Sequence, residues 1–176
     1  MKRPLVWIIG GLAVVAASWG LYMGLQPASE VGGAGPSASA GQTAPDFVLP
    51  AYVGGSSVSL SQYKGKVVLV NFWATWCPPC RQEVPDFVKV QSELRPAGFE
   101  IVGISLDDGP DPVAGFVKEQ GINYAVAMGD EHVTQQYGGV RAIPTSFLLD
   151  REGKVVKMYQ GAIEAETLRS AVKALL

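Results

Sequence analysis

Two cysteines separated by two prolines are the side chains in this sequence best suited to chemistry. Cys77 and Cys80 are the only cysteines among the 176 residues, and Pro78 and Pro79 lie between them. Two thiols at this spacing can close into a disulfide and reopen, which is the minimum that thiol–disulfide exchange requires. The prolines fall at early helical positions, where a fixed φ stiffens the turn and a missing N–H is no loss.

The elements around the motif predict different roles for the two cysteines. Residues 66–71 have the β-branched pattern of a buried strand, and residues 81–95 are mostly helix formers. Cys77 precedes this helix, so its sulfur is expected to lie nearer solvent and nearer the free N–H groups that favour a thiolate. Cys80 lies about one turn further on and is expected to be more buried. We therefore predict that Cys77 attacks a substrate disulfide and that Cys80 then resolves the mixed disulfide.

Other uses of a CxxC motif fit the sequence less well. A zinc site wants four ligands, and the chain has one histidine, His132, which is predicted to be a surface residue. A purely structural disulfide in so short a loop gains little stability from chain entropy. A peroxiredoxin-like peroxidase usually has Pro seven residues and Thr or Ser three residues before its cysteine, where this chain has Val70 and Ala74. Peroxidase chemistry is retained as an alternative.

The N-terminal region predicts a membrane anchor. Residues 5–25 are uncharged, almost wholly apolar and long enough to cross a bilayer as a helix. Lys2 and Arg3 lie in the short n-region, residues 1–4, and no further Lys or Arg follows until Lys64, which predicts a cytoplasmic N-terminus. A cleaved signal peptide ending at the A-x-A pattern of residues 38–40 is the alternative.

The remainder of the chain is predicted to be a tether followed by one domain. Residues 26–44 are rich in Gly, Ala, Ser and Pro and are typical of a flexible linker. Residues 45–176 are sufficient for one compact core. The formal charge of −2 and the absence of a basic patch argue against a nucleic-acid partner. The acidic loop at residues 107–112 is predicted to be a plain turn.

Strand and helix patterns alternate along the domain and predict an α/β sandwich with a mixed sheet. The expected strands are 47–49, 57–60, 67–72, 99–106, 124–128, 145–149 and 155–159. The expected helices are 81–94 (interrupted at Pro85), 113–120, 131–137 and 164–176.

Two stretches of this domain resemble the thioredoxin superfamily, and within it the membrane-anchored reductases of the TlpA/ResA type. They are VNFWATWCPPCRQEVP at residues 70–85 and VRAIPTSFLLD at residues 140–150. The resemblance extends over about residues 45–176 and implies a thioredoxin-like three-layer sandwich with a mixed central sheet. The helix and strand at 113–128 look like the insertion that separates this type from simple thioredoxins.

The resemblance also implies substrate-binding residues. Pro144 matches the cis-proline of the family, which packs against the dithiol, and the backbone of Ile143 would pair with an extended substrate segment. Trp76 and Pro78, next to Cys77, would belong to the contact surface. No cofactor is implied beyond the redox-active Cys77–Cys80 disulfide.

One departure from thioredoxins concerns proton transfer. Thioredoxins carry a buried Asp in the strand before the motif, where this chain has Asn71, which cannot take up a proton. Glu83, three residues after Cys80, is the predicted replacement, since TlpA/ResA-type proteins have a functional Glu at that offset. The alternative is that Glu83 is a solvated helix residue.

The function implied by the resemblance is reduction of protein disulfides on the periplasmic or outer face of a bacterial inner membrane. The expected substrates are the disulfides of apocytochrome c or the copper-site cysteines of an oxidase. Electrons would come from a membrane protein that relays them from cytoplasmic thioredoxin. The alternative from a different class is a non-catalytic assembly factor of the same fold that binds Cu(I) through Cys77 and Cys80.

Overall fold

The computed structural model describes residues 38–176. The predicted n-region, the predicted membrane anchor at 5–25 and the first part of the predicted linker lie outside the described residues. Within residues 38–176, no helix is both long and apolar enough to span a membrane.

The described part of the chain forms a seven-stranded mixed sheet with helices on both faces, which confirms the predicted fold class. The strands are β1 (Val48–Val53), β2 (Ser57–Ser59), β3 (Val67–Trp73), β4 (Phe99–Ser105), β5 (Ala125–Met128), β6 (Thr145–Leu149) and β7 (Val155–Gln160). The helices are α1 (Pro78–Leu94), α2 (Pro110–Gln120), α3 (Glu131–Gln136) and α4 (Ala165–Lys173).

Strand β3, which leads into the cysteines, lies inside the sheet. The strand order is β2-β1-β5-β4-β3-β6-β7, with β3, β4 and β5 parallel and the remaining pairs antiparallel. All seven residues of β3 are buried, as a continuous apolar run predicts for a strand covered on both faces. Helices α1, α2 and α4 contribute to the core on one face, and α3 contributes to the core on the other.

Helix α1 differs from its prediction in two ways. It begins at Pro78 instead of Arg81, because Cys77 is the N-cap and the two prolines occupy the first helical positions. It also continues without a break through Pro85, so the predicted interruption is wrong. Proline removes one helical hydrogen bond, but the neighbouring apolar residues Val84 and Phe87 are fully buried and hold both halves of the helix against the sheet.

The end of the predicted flexible linker is part of the folded domain. We call residues 38–44 the strap. The amide of Gly41 donates to the carbonyl of Val155 at 2.8 Å, and the amide of Val155 donates to the carbonyl of Gln42 at 2.9 Å. Ala38 and Ala44 are buried in the core. The boundary predicted at residue 44 is therefore too far along the chain, because small residues can pair with the edge of β7 without large side chains to bury.

Candidate functional site

The two cysteines lie where β3 ends and α1 begins, and they form a disulfide. Cys77 caps the helix, and its sulfur accepts a hydrogen bond from the amide of Cys80 at 3.3 Å. Cys80 is fully buried and Cys77 is 3% exposed. Cys77 is thus the more exposed of the two, although less exposed than its place before the helix suggested. The N–H groups at the helix start favour negative charge on its sulfur once the disulfide is reduced.

The two tryptophans near the motif have opposite environments. Trp73 ends β3, is fully buried, and packs against the ring of Phe116 with 5.3 Å between ring centroids. Trp76 is 66% exposed, and Pro78 beside it is also exposed. Trp73 is therefore core, whereas Trp76 and Pro78 form a surface next to Cys77.

The loop before β6 lies against the same sulfur. The peptide bond between Ile143 and Pro144 is cis, as the resemblance implies. The carbonyl oxygen of Ile143 is 3.7 Å from Sγ of Cys77. Pro144 is buried and Ile143 is half-buried. The sequence-predicted residues at 76–80 and 143–144, which are far apart in the chain, are therefore brought to one place.

Glu83 lies on α1, three residues after Cys80, and is shielded from water. It is 2% exposed; its Oε1 accepts a hydrogen bond from Nδ2 of Asn71 at 2.9 Å, and its Oε2 accepts one from the amide of Ile163 at 3.1 Å. Burial raises the pKa of Glu83 to about 7, and the two hydrogen bonds oppose that rise. The alternative of a solvated helix residue is wrong. A carboxyl with this pKa can exchange a proton near neutral pH.

Asn71 connects Glu83 to the next strand. Its Nδ2 donates to Oγ of Ser146 at 2.9 Å as well as to Glu83, and all three side chains are buried. The pKa of Tyr124 is raised by its burial and by the nearby charge of Glu83. Sequence reasoning missed Ser146 and Tyr124, because neither lies near the motif in the chain.

Asp107 lies in the bend between β4 and α2, where the sequence predicted a turn, but its side chain makes contacts that the sequence did not indicate. It is 7% exposed, and its carboxylate accepts hydrogen bonds from the amide of Thr75 at 3.0 Å and from Oγ1 of Thr75 at 2.6 Å. The sequence signal that could have indicated these contacts is the position of Asp107 two residues after β4, because the carboxyl ends of the parallel strands β3 and β4 meet at one edge of the sheet. His132 is exposed, as predicted.

The side chains gathered at this site favour redox chemistry at sulfur. Among residues 38–176, no three or more side chains of His, Cys, Asp or Glu are grouped to hold a metal ion. The site instead combines a capped cysteine, a buried partner cysteine and a buried carboxyl with a raised pKa. Such a set can form and resolve a mixed disulfide while moving a proton.

Comparisons with known proteins agree with this chemistry. The Redoxin family model matches residues 39–176. The chain is 37% identical over 127 residues to the thiol-disulfide oxidoreductase ResA of Bacillus subtilis, covering 72% of this chain and 70% of that protein. It is similar to the crystal structure of a thiol:disulfide interchange protein from Chlorobium tepidum, with a TM-score of 0.71, 36% identity, and coverage of 80% of this chain and 97% of that chain. A secreted thiol-disulfide isomerase from Corynebacterium glutamicum has a TM-score of 0.70 at 28% identity, with 76% and 84% covered.

Proposed function

This chain belongs to the Redoxin family and is a thioredoxin-like thiol-disulfide oxidoreductase of the ResA type, and from that premise we propose that it reduces disulfides of other proteins on the outer side of a bacterial cell membrane. The observation that carries the proposal is the exposed surface of Trp76 and Pro78 beside a nearly buried Cys77 sulfur. A tryptophan exposed to this degree is typical of a protein-binding surface.

The proposed reaction transfers two electrons from the dithiol to the substrate. The Cys77 thiolate attacks a substrate disulfide, forms a mixed disulfide and displaces one substrate thiolate. Cys80 loses its proton and attacks the Cys77 sulfur, which releases the second substrate thiolate and closes the Cys77–Cys80 disulfide. The carbonyl of Ile143, close to the Cys77 sulfur, would receive a hydrogen bond from an extended substrate segment. Glu83 would take up the proton that Cys80 loses.

The substrates we propose are the disulfides of apocytochrome c or the copper-site cysteines of an oxidase. The similarity to a thiol-disulfide oxidoreductase and to a thiol:disulfide interchange protein supports thiol–disulfide exchange, and the reducing direction is part of our proposal. The oxidised dithiol needs a donor of two electrons after each cycle. We propose a membrane protein that relays them from cytoplasmic thioredoxin.

Substrate trapping tests this proposal. A Cys80→Ser variant expressed in cells should hold its substrate through a disulfide on Cys77, because the resolving thiol is missing. The captured protein, released by reductant and identified by mass spectrometry, should carry a cysteine pair and lie outside the cytoplasm. The Cys77→Ser/Cys80→Ser double variant is the matched control and should capture nothing. Capture of cytoplasmic proteins only would contradict the proposal.

A parallel assay separates the reductase from the copper-binding alternative. The reduced wild-type protein should reduce insulin and should retain no stoichiometric copper after gel filtration. Stoichiometric Cu(I) without insulin reduction would instead favour the assembly factor.

The proposed location predicts a membrane-anchored protein. Because residues 5–25 are uncharged and follow Lys2 and Arg3, the full-length chain should stay in the membrane fraction after an alkaline carbonate wash. Protease added from the outer side should remove the domain and leave the anchor. A mature protein that begins at Gly41 would show instead that the N-terminal segment is a cleaved signal.

A further inference from the structure

The loop that leads from β3 to Cys77 is fastened to the end of β4 at one residue. Thr75 donates twice to the carboxylate of Asp107, through its amide at 3.0 Å and through its hydroxyl at 2.6 Å. The amide of Cys77 in turn donates to the carbonyl of Ala74 at 3.2 Å. Asp107 is therefore connected to Cys77 through a single short turn, residues 74–77.

Asp107 is itself held in place. Oγ of Ser105 donates to its Oδ2 at 2.8 Å, and the amide of Asp107 donates back to Oγ of Ser105 at 3.2 Å. Ser105 is fully buried and lies opposite Trp73 in the β3–β4 register. The carboxylate thus has three donors and little contact with water. A buried carboxylate with full hydrogen bonding is a fixed anchor, because any movement would leave it unpaired.

The carbonyl group of Thr75 is hydrogen-bonded to a side chain of α1. Nη1 of Arg81 donates to the Thr75 carbonyl at 3.1 Å, and its guanidinium carbon lies 4.9 Å from the centre of the Phe116 ring. Thr75 is therefore hydrogen-bonded to two charged side chains, Asp107 from the end of β4 and Arg81 from α1. Both the amide and the carbonyl of Thr75 are held by side chains from other elements, which fixes the backbone two residues before Cys77.

We propose that Asp107 is a positioning residue for Cys77: its carboxylate holds Thr75 so that the Cys77 sulfur stays aligned with the amide of Cys80 at the start of α1. That amide, 3.3 Å from the sulfur, is a donor that favours the thiolate, and its contribution depends on direction as well as distance. The inference rests on the proposed role of Cys77 as the attacking sulfur, and it adds a residue outside the CxxC motif to the machinery that tunes this thiol.

Alkylation of the reduced protein tests the proposal without any substrate. Rates of reaction with iodoacetamide are measured against pH, and peptide mapping identifies which cysteine reacts. Asp107→Asn keeps the size of the side chain but weakens its hydrogen bonds with Thr75. Thr75→Val removes the hydroxyl hydrogen bond and leaves the charge of Asp107 in place. In both variants the pKa of Cys77 should rise by about one unit, which is roughly tenfold less thiolate at a pH below that pKa. Asp108→Asn, at the exposed neighbouring residue, is the control and should match the wild type.

The sign of the shift separates positioning from plain electrostatics. Removal of a negative charge alone would lower the pKa of a nearby thiol, so a lower pKa in Asp107→Asn, or no change in both variants, would overturn the proposal. Circular dichroism and a thermal melt show whether each variant folds, and Thr75→Val alone decides if Asp107→Asn does not fold. If mapping instead finds Cys80 alkylated first in the wild type, the assignment of the attacking sulfur fails, which is a distinct result.

Discussion

Replacing Cys77 with serine will abolish disulfide reduction, whereas replacing Cys80 with serine will leave a protein that starts the reaction and cannot finish it. Cys77 caps α1 and is the more exposed sulfur, and Cys80 is fully buried behind it. Without Cys77 no nucleophile can reach the substrate, so insulin reduction should fall roughly a thousandfold or more. In Cys80→Ser the Cys77 thiolate should attack the model disulfide 5,5′-dithiobis(2-nitrobenzoate), release one 5-thio-2-nitrobenzoate anion and keep the other as a mixed-disulfide adduct that persists.

The measurement is a time course by mass spectrometry on both variants. The wild type is the control, because its Cys80 should clear the adduct within the mixing time. A persistent adduct on Cys80 in the Cys77→Ser protein would reverse the two roles.

Glu83→Gln will lower the pKa values of the reduced dithiol and slow disulfide exchange. Glu83 follows Cys80 by three residues on α1, and residues at this spacing are neighbours on a helix, so we expect its carboxylate to disfavour a second negative charge on the sulfurs. Removal of that charge should lower the thiol pKa values by roughly one unit. The step in which Cys80 loses its proton should slow by about tenfold or more, since no base is left to accept it. Thiolate absorbance against pH and stopped-flow kinetics measure the two effects.

The same substitution will change how stability depends on pH. The pKa of Glu83 is about 7 in the folded protein, against a usual 4.5, so the folded state binds this proton more tightly than the unfolded state. The contribution of protonated Glu83 to the free energy of unfolding is therefore fully present below pH 4.5 and is lost as the pH rises to about 7. The free energy of unfolding falls by about 3 kcal/mol over this range. Urea unfolding of the oxidised protein should show this decline in the wild type and not in Glu83→Gln.

An exposed glutamate serves as the matched control for both experiments. Glu119 lies on α2 and is exposed, so Glu119→Gln should leave the thiol titration, the exchange rate and the slope of stability with pH unchanged. Glu83→Gln curves that coincide with the wild type would show that Glu83 has no part in the proton chemistry.

The fold and the redox pair follow from local sequence patterns. The apolar run in β3, the cysteine pair and the proline at 144 each carry a strong local signal, and the sequence predicted the mixed sheet and the elements that flank Cys77. The end of the linker and the continuous α1 were mispredicted, because composition and proline content reflect only the intrinsic conformational preference of each segment. Pairing with β7 and burial of Val84 and Phe87 override that preference.

The contacts that tune the site depend on residues that meet only in the folded chain. The sequence indicated Glu83 by its offset from Cys80, but its hydrogen bonds come from Asn71 and from Ile163, 80 residues further on. Asp107 meets Thr75 across 32 residues. No periodicity or spacing encodes these pairs. The Thr75–Asp107 pair follows from the β3–β4 register, and the Glu83 pairs follow from the way α1 packs against β3 and the segment before α4; a single sequence specifies neither arrangement.

The strap has a consequence for self-association. Strand β7 is at the edge of the sheet, and Val156 and Met158 on it are exposed. An edge of this kind, with free N–H and C=O groups beside apolar side chains, is a template on which a second chain can add a strand and begin to aggregate. The strap occupies the backbone groups of Gly153 and Val155 at the start of that edge. A domain that began at Pro45 would keep the dithiol but leave these backbone groups of Gly153 and Val155 without their strap partners, so we expect it to self-associate more readily than a domain that keeps the strap.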